Sequence, residues 1–238
     1  LPFFSLFFSA RYAKKKSIDY FLLFGEYLII GEKIKKIDYK KEYKNLYKPS
    51  AKKCEIVDVP EFQFLMIDGK GNPNISQEYK NAVEALFSVS YTLKFMIKKS
   101  KKEIDYAVMP MQGLWWAEDM KAFNQGRKDE WLWTMMIMQP DFITEDDINS
   151  AIEAAKRKKD LPLIDKLYFK KLKEGKAAQV MHIGPFSEEG STIEKLHSFI
   201  EESGYDRTGN HHEIYLSDIR KAAPSKWKTV LRQPIIKE

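Results

Sequence analysis

Trp131-Leu132-Trp133-Thr134-Met135-Met136-Ile137-Met138-Gln139-Pro140 holds nine uncharged residues closed by a proline. Its aromatic content and lack of polar faces read as a strand buried on both sides rather than as a helix. Side chains alternate across a strand, so Trp131, Trp133, Met135 and Ile137 share one face, and Leu132, Thr134, Met136 and Met138 the other. Gly113-Leu114-Trp115-Trp116 adds two indoles upstream, placing four of the five tryptophans between positions 115 and 133. A flat aromatic wall is expected there.

Working outward, Cys54–Ile67 alternates as a strand and stops at the turn Asp68-Gly69-Lys70-Gly71-Asn72-Pro73. Ser76–Lys99 reads as a helix, with Val83, Leu86, Phe87 and Ser90 at i, i+3, i+4 and i+7. Ile104–Met111 is expected as a second strand, and Gly113–Glu130 as an inserted segment whose Trp115 and Trp116 are the more mobile indoles. Thr144-Glu145-Asp146-Asp147 opens another helix with a capping residue and acids in its first turn. Leu163–Glu174 is expected as a short helix halted by Gly175. The first pattern then returns: a strand over Lys176–Ile183, a helix opened by the capping-box sequence Ser191-Thr192-Ile193-Glu194, and strands over His211–Ser217 and Trp227–Arg232. Gln139-Pro140 and Gln233-Pro234 end the third strand of each half, and Met66-Ile67-Asp68-Gly69 matches Met181-His182-Ile183-Gly184.

The expected fold is therefore α+β, a duplicated strand-helix-strand-strand unit forming two antiparallel sheets with a ligand groove between them. Its first repeat covers about 54–140, linking helices 144–174, and the second repeat about 175–236. Residues 1–35 read as a disordered or loosely docked extension to a single domain over 36–238, and Lys33–Lys53 as a solvated lysine-rich arm whose tyrosines pack on the body.

Charge narrows the function. The chain carries a net +6, but residues 1–53 hold +8 and the remainder −2. A nucleic-acid-binding body should itself be basic, so nucleic acid is not an expected partner of the globular part. Leu1–Ile30 is apolar but interrupted by Arg11, Lys14–Lys16, Asp19 and Glu26, short of the ~20 apolar residues of a spanning helix, and no membrane role is expected. The single Cys54 leaves no intrachain disulfide framework, and the cytoplasm is the natural compartment. No cofactor is expected. His211 and His212 point to opposite faces of their strand and cannot easily share a metal ion.

On that strand Glu213 shares a face with His211, Tyr215 and Ser217, opposite His212, Ile214 and Leu216. A glutamate there either sits in an ordinary hydrogen-bonded or exposed setting or is a desolvated functional acid. The indoles, with Met111 and Met135 among five methionines nearby, either fill core or line a pocket for an aromatic guest.

The duplicated unit, with Gln179-Val180-Met181-His182-Ile183-Gly184-Pro185-Phe186 before the second helix and His212-Glu213-Ile214-Tyr215-Leu216 after it, resembles the GyrI-like small-molecule-binding domains over roughly residues 36–238. Gly113-Leu114-Trp115-Trp116 and Trp131-Leu132-Trp133-Thr134 resemble the branch of cyclopropanoid hydrolases, which open the reactive cyclopropane of DNA-alkylating compounds. The resemblance implies a ligand cavity with Glu213 at its floor and Trp115, Trp116, Trp131, Trp133, Met111, Met135, His182 and Phe186 binding a hydrophobic small molecule. Phe186 stands where many relatives carry tyrosine. In an enzymatic version Glu213 would activate a water, with Tyr215 or Tyr168 donating a hydrogen bond to developing negative charge. The alternative is a drug-sequestering or protein-interaction module without chemistry, in the manner of a gyrase inhibitor, although no protein partner is indicated.

Overall fold

Two 16-residue strands, each carrying a run of consecutive buried residues (64–67 in one, 177–182 in the other), organise the molecule. The structure, a computed structural model, describes the backbone at residues 12–15, 18–23 and 26–32, together with residues 36–119 and 121–237. Strands β1 (Tyr12–Lys15), β2 (Ile18–Leu23) and β3 (Glu26–Glu32) form a separate antiparallel sheet in order β1-β2-β3. They fall where the sequence suggests a disordered or loosely docked extension; the rest of that stretch lies outside the described residues.

Two single-turn helices follow, α1 (Tyr39–Glu42) and α2 (Lys44–Tyr47), and bury Tyr39, Leu46 and Tyr47. The lysine-rich arm is thus partly core. The body is then β4 (Glu55–Lys70), α3 (Gln77–Lys99), β5 (Met111–Trp116), α4 (Lys121–Asn124), β6 (Leu132–Gln139) and α5 (Glu145–Lys156), followed by β7 (Tyr168–Ile183), α6 (Glu189–Glu202), β8 (Asp206–Arg207), β9 (His211–Tyr215) and β10 (Lys228–Ile236). The duplication is present as β4-α3-β5-β6 and β7-α6-β9-β10.

The strands do not split into two sheets. They run in order β7-β4-β6-β5-β9-β10, and β10 pairs back onto β7, closing one six-stranded antiparallel barrel with β8 added on β10. Closure follows from strand length. β4 pairs with β7 from Glu55↔Gln179 to Met66↔Tyr168, and each strand also pairs with the hairpin of its own repeat. At mid-strand the consecutive exposed residues Pro60 and Glu61 switch the shielded set of β4 from Val57 and Val59 to Phe62, Phe64 and Met66. Just before them Val59 pairs with Gly175, which takes φ +69, a conformation glycine adopts without a Cβ clash. On the other side, Gln112↔Ile214 through Trp115↔His211 join β5 to β9.

Four further expectations change. Leu163–Glu174 is not a helix: a 3-10 turn over Ile164–Lys166 leads directly into β7, whose residues 168–173 pair with β4. The second strand begins only at Met111 rather than ending there; Tyr106 makes an isolated bridge to Ile37. Trp115 and Trp116 consequently lie on a paired strand, opposite Trp133 and Leu132, not on an inserted loop. Finally α6 starts at Glu189 without a side-chain cap, and Thr192, expected within a capping box, instead meets the imidazole of His182 at 2.9 Å.

Both faces of β6 are buried, as its composition requires. Trp133, Met135 and Ile137 are completely buried in the main core together with Leu86, Val89 and Leu93 of α3. Facing inward is a polar network. Glu174 meets His212 Nδ1 at 2.9 Å and accepts from Arg232 at 3.1 Å, His212 Nε2 meets Gln112 Oε1 at 2.9 Å, and Arg232 also donates to the Leu46 carbonyl at 2.9 Å.

Candidate functional site

α3 packs over β4 and β6, and α6 over β7 and β10. The β5–β9 pair between them is left as the floor of a cleft of ≈ 2200 Å³, larger than the roughly 300–1,000 Å³ of ordinary ligand pockets. Tyr79, Val83, Phe87 and Tyr91 recur every fourth residue along α3 and form one wall. Glu189 and Ile193 of α6 stand on the other, and Trp115, His211, Glu213 and Tyr215 rise from the floor.

Strand alternation aims His211, Glu213 and Tyr215 into this cleft while His212 and Ile214 turn inward, the division expected from the sequence. The Glu213 side chain retains 15% exposure. Its Oε2 accepts a 2.6 Å hydrogen bond from the Tyr215 hydroxyl, which accepts one of 3.0 Å from Trp115 Nε1. On the other side, His211 Nε2 lies 3.5 Å from Glu213 Oε1. Burial, then the charge of Glu213, pushes the Tyr215 phenol well above its ordinary range, and the same two causes raise Tyr79. Both phenols therefore stay neutral, and Tyr215 is a donor to Glu213. Gly113 pairs directly with Glu213; a Cβ there would come within 2.8 Å of Trp115 Nε1, so glycine is what lets the indole reach Tyr215.

Glu189, which sequence reading missed, is only 5% exposed, and its Oε1 has no hydrogen-bond partner. Burial first, and the charge of Glu213 second, raise its carboxyl far above the usual carboxylate range. The Thr229 hydroxyl pulls the other way, although its Oγ1 and Glu189 Oε1 both fall short of hydrogen-bonded geometry. The start of α6 also favours an anion, but such a dipole term reaches only ~2 kcal/mol even where the site is partly buried. Desolvation beside a second carboxylate is the larger effect. The cleft thus holds two carboxyl groups, of which Glu189 is pushed toward its neutral form.

The other expected site residues divide. Trp116, Trp131, Met111 and Phe186 line the cleft. Phe186 packs edge-on to Tyr215 at 5.5 Å and 72°. Trp115 and Trp131 meet at 5.9 Å with their planes 74° apart, so the expected flat wall is an angled corner. Trp133 and Met135 are fully buried in the core and do not line the cleft; Trp133 packs against Gly69 and edge-on to Tyr79. His182, 6% exposed, contacts Thr192 and the Pro185 carbonyl beside a separate surface depression. Tyr168 donates to Asp68 at 2.9 Å and does not line the cleft, so the structure does not bring it to Glu213.

Among the described residues no group of three or more His, Cys, Asp or Glu is placed to hold a metal ion, and no helix is long and apolar enough to cross a membrane.

Comparison with known proteins gives a consistent picture. Residues 52–236 match the family model described as the GyrI-like small molecule binding domain. An uncharacterized conserved protein from Listeria innocua is 44% identical over 84% of this chain and 100% of its own, with a TM-score of 0.76. A hydrolase from the same organism is 42% identical over 84% of this chain and 100% of its own, with a TM-score of 0.74. A further hydrolase structure from Listeria innocua is 43% identical over 85% of this chain and 100% of its own, with a TM-score of 0.76. No curated protein matches the chain.

Proposed function

We propose, since this chain belongs to the family of GyrI-like small molecule binding domains, that its cleft receives flat hydrophobic molecules and that Glu213 there turns a bound water on an electrophilic carbon of the guest. The substrate class is a xenobiotic with a strained, cyclopropane-type electrophile. The observation that carries this reading is the relay Trp115 Nε1 to Tyr215 hydroxyl to Glu213 Oε2, with steps of 3.0 and 2.6 Å, inside a cleft walled by aromatic rings. It orients one carboxylate oxygen, and Oε1, with His211 Nε2 3.5 Å away, is the oxygen that would bind water.

In the reaction Glu213 takes a proton from water as the water oxygen forms the new C–O bond. The strained C–C bond breaks, and its electron pair moves to the guest's conjugated acceptor, which ends protonated. The product is the guest plus one water. The hydrolases from Listeria innocua at 42% and 43% identity support hydrolysis as the reaction type. Tyr215 serves as the positioning group for Glu213, since its proton is already committed to that carboxylate.

The test is incubation of the protein with a cyclopropane-bearing alkylator, followed by mass analysis for a water adduct. Wild-type protein is expected to form the adduct, and Glu213→Gln to bind the compound, read by tryptophan quenching, without converting it. A compound that binds wild-type protein and stays unaltered leaves the cleft a sequestering site and refutes the hydrolytic reading.

A further inference from the structure

The water-addition reading leaves a proton unassigned, the one the conjugated acceptor must gain as the C–C bond breaks. We propose that Glu189, a residue of the α6 wall, is the catalytic acid that delivers it, so that the site works with two carboxyl groups in opposite roles. This rests on the function proposed above and adds a second reacting group to it.

The geometry is specific to Glu189 among the acids of the cleft. It lines the cleft, is 5% exposed, and its Oε1 has no hydrogen-bond partner. Buried polar atoms are normally satisfied, and an unpartnered carboxyl oxygen on a residue that lines a ligand cleft has its hydrogen-bonding capacity unspent. Glu213, by contrast, has one oxygen tied to Tyr215 and His211 near the other. The groups that act on the Glu189 carboxyl are the Glu213 charge and the Thr229 hydroxyl, while its own charge bears on the Tyr215 phenol. Burial and a neighbouring carboxylate both favour the neutral form of Glu189. Glu189 is then ready to give a proton.

In the reacting complex water loses its proton to Glu213, and the acceptor of the ring-opened guest takes the Glu189 proton. Glu213 is left neutral and Glu189 ionised. Proton return from Glu213 to Glu189 through solvent restores the starting state, with no other reactant consumed.

The experiment compares wild-type protein, Glu189→Gln and Glu213→Gln on two cyclopropane electrophiles, one with a neutral carbonyl acceptor and one whose acceptor is already cationic and needs no proton. For the carbonyl guest, Glu189→Gln is expected to lower kcat at least tenfold with affinity by tryptophan quenching within twofold, and to remove the alkaline limb of the pH–rate profile. For the cationic acceptor the loss should be several-fold smaller than for the carbonyl guest, a difference that a merely structural defect would not produce. Infrared difference spectra of the free proteins at neutral pH should show a protonated-carboxyl band in wild type that is missing from Glu189→Gln. Equal kcat for wild type and Glu189→Gln on the carbonyl guest, with Glu213→Gln inactive, overturns the role of Glu189 and leaves the hydrolytic reading standing. Absence of turnover by wild type on both guests overturns both.

Discussion

The Tyr215 hydroxyl donates to Glu213 Oε2 at 2.6 Å, two residues along the same face of β9, while Trp115 Nε1 donates into that hydroxyl from β5. A strand carrying both residues and a neighbouring strand carrying the indole make the carboxylate's orientation a property of the barrel rather than of a loop. Hydrogen bonds to charged groups contribute ~1.5–3 kcal/mol. If the Glu213 orientation is used in the rate-determining step, Tyr215→Phe should lower kcat by roughly 10–100-fold. The ring itself remains to pack against Phe186, so the thermal midpoint and guest affinity should change little. Steady-state kinetics beside tryptophan-quenching titrations read both quantities; an unchanged kcat would remove Tyr215 from the positioning role.

Gly69 and Trp133 define the boundary between core and cleft. A Cβ added at Gly69 would overlap the six-membered ring of Trp133, which is fully buried and has Tyr79 edge-on at 5.3 Å. Trp133 cannot swing aside without disturbing a residue that lines the cleft. Gly69→Ala should cost ~1–3 kcal/mol through overpacking, a fall of ~2–12 °C in thermal midpoint for a domain of this size. Part of the strain should pass to Tyr79 and weaken guest binding. A thermal scan showing no change would mean that the core beneath β4 and β6 yields more easily than its packing indicates.

The pattern of charges and rings shows how far the sequence could be read. Alternation placed Glu213, His211 and Tyr215 on one face, and the paired Gln-Pro ends at 139–140 and 233–234 revealed the duplication, because both are local signals. Closure was hidden. It depends on β4 and β7 pairing along most of their 16 residues, and Leu163, Ile164, Leu167 and Tyr168 carry helix-like spacing that only the non-local partner β4 overrides. Trp133 and Trp131 belong to one aromatic run, yet only the second reaches the cleft, since the first lies beneath α3 near Gly69. Glu189 was hidden for another reason. An acid in the first turn of a helix is an ordinary complement to the dipole, and its burial arises from the fold around it.

Inside the barrel, away from the cleft, the Glu174 carboxylate ties β7 to β9 and β10 through His212 and Arg232. Burial alone would raise its carboxyl, but the charge and hydrogen bond of His212, followed by those of Arg232, outweigh it and hold it down from 4.5 to about 2. A carboxyl lower in the folded than in the unfolded state makes the unfolded chain bind more protons as the medium is acidified. Its stabilisation is therefore present above the unfolded value and is lost as pH falls from about 4.5 through about 2. Glu174→Gln should flatten stability against pH across that window. At neutral pH it should also destabilise the protein by ~3–5 kcal/mol, because Arg232, 3% exposed, is left without its carboxylate partner. Denaturant unfolding of the two proteins from neutral pH down to about pH 3 would measure both effects. An equally steep acid loss in Glu174→Gln would assign that loss to other carboxylates and make the interior network a bystander in acid unfolding.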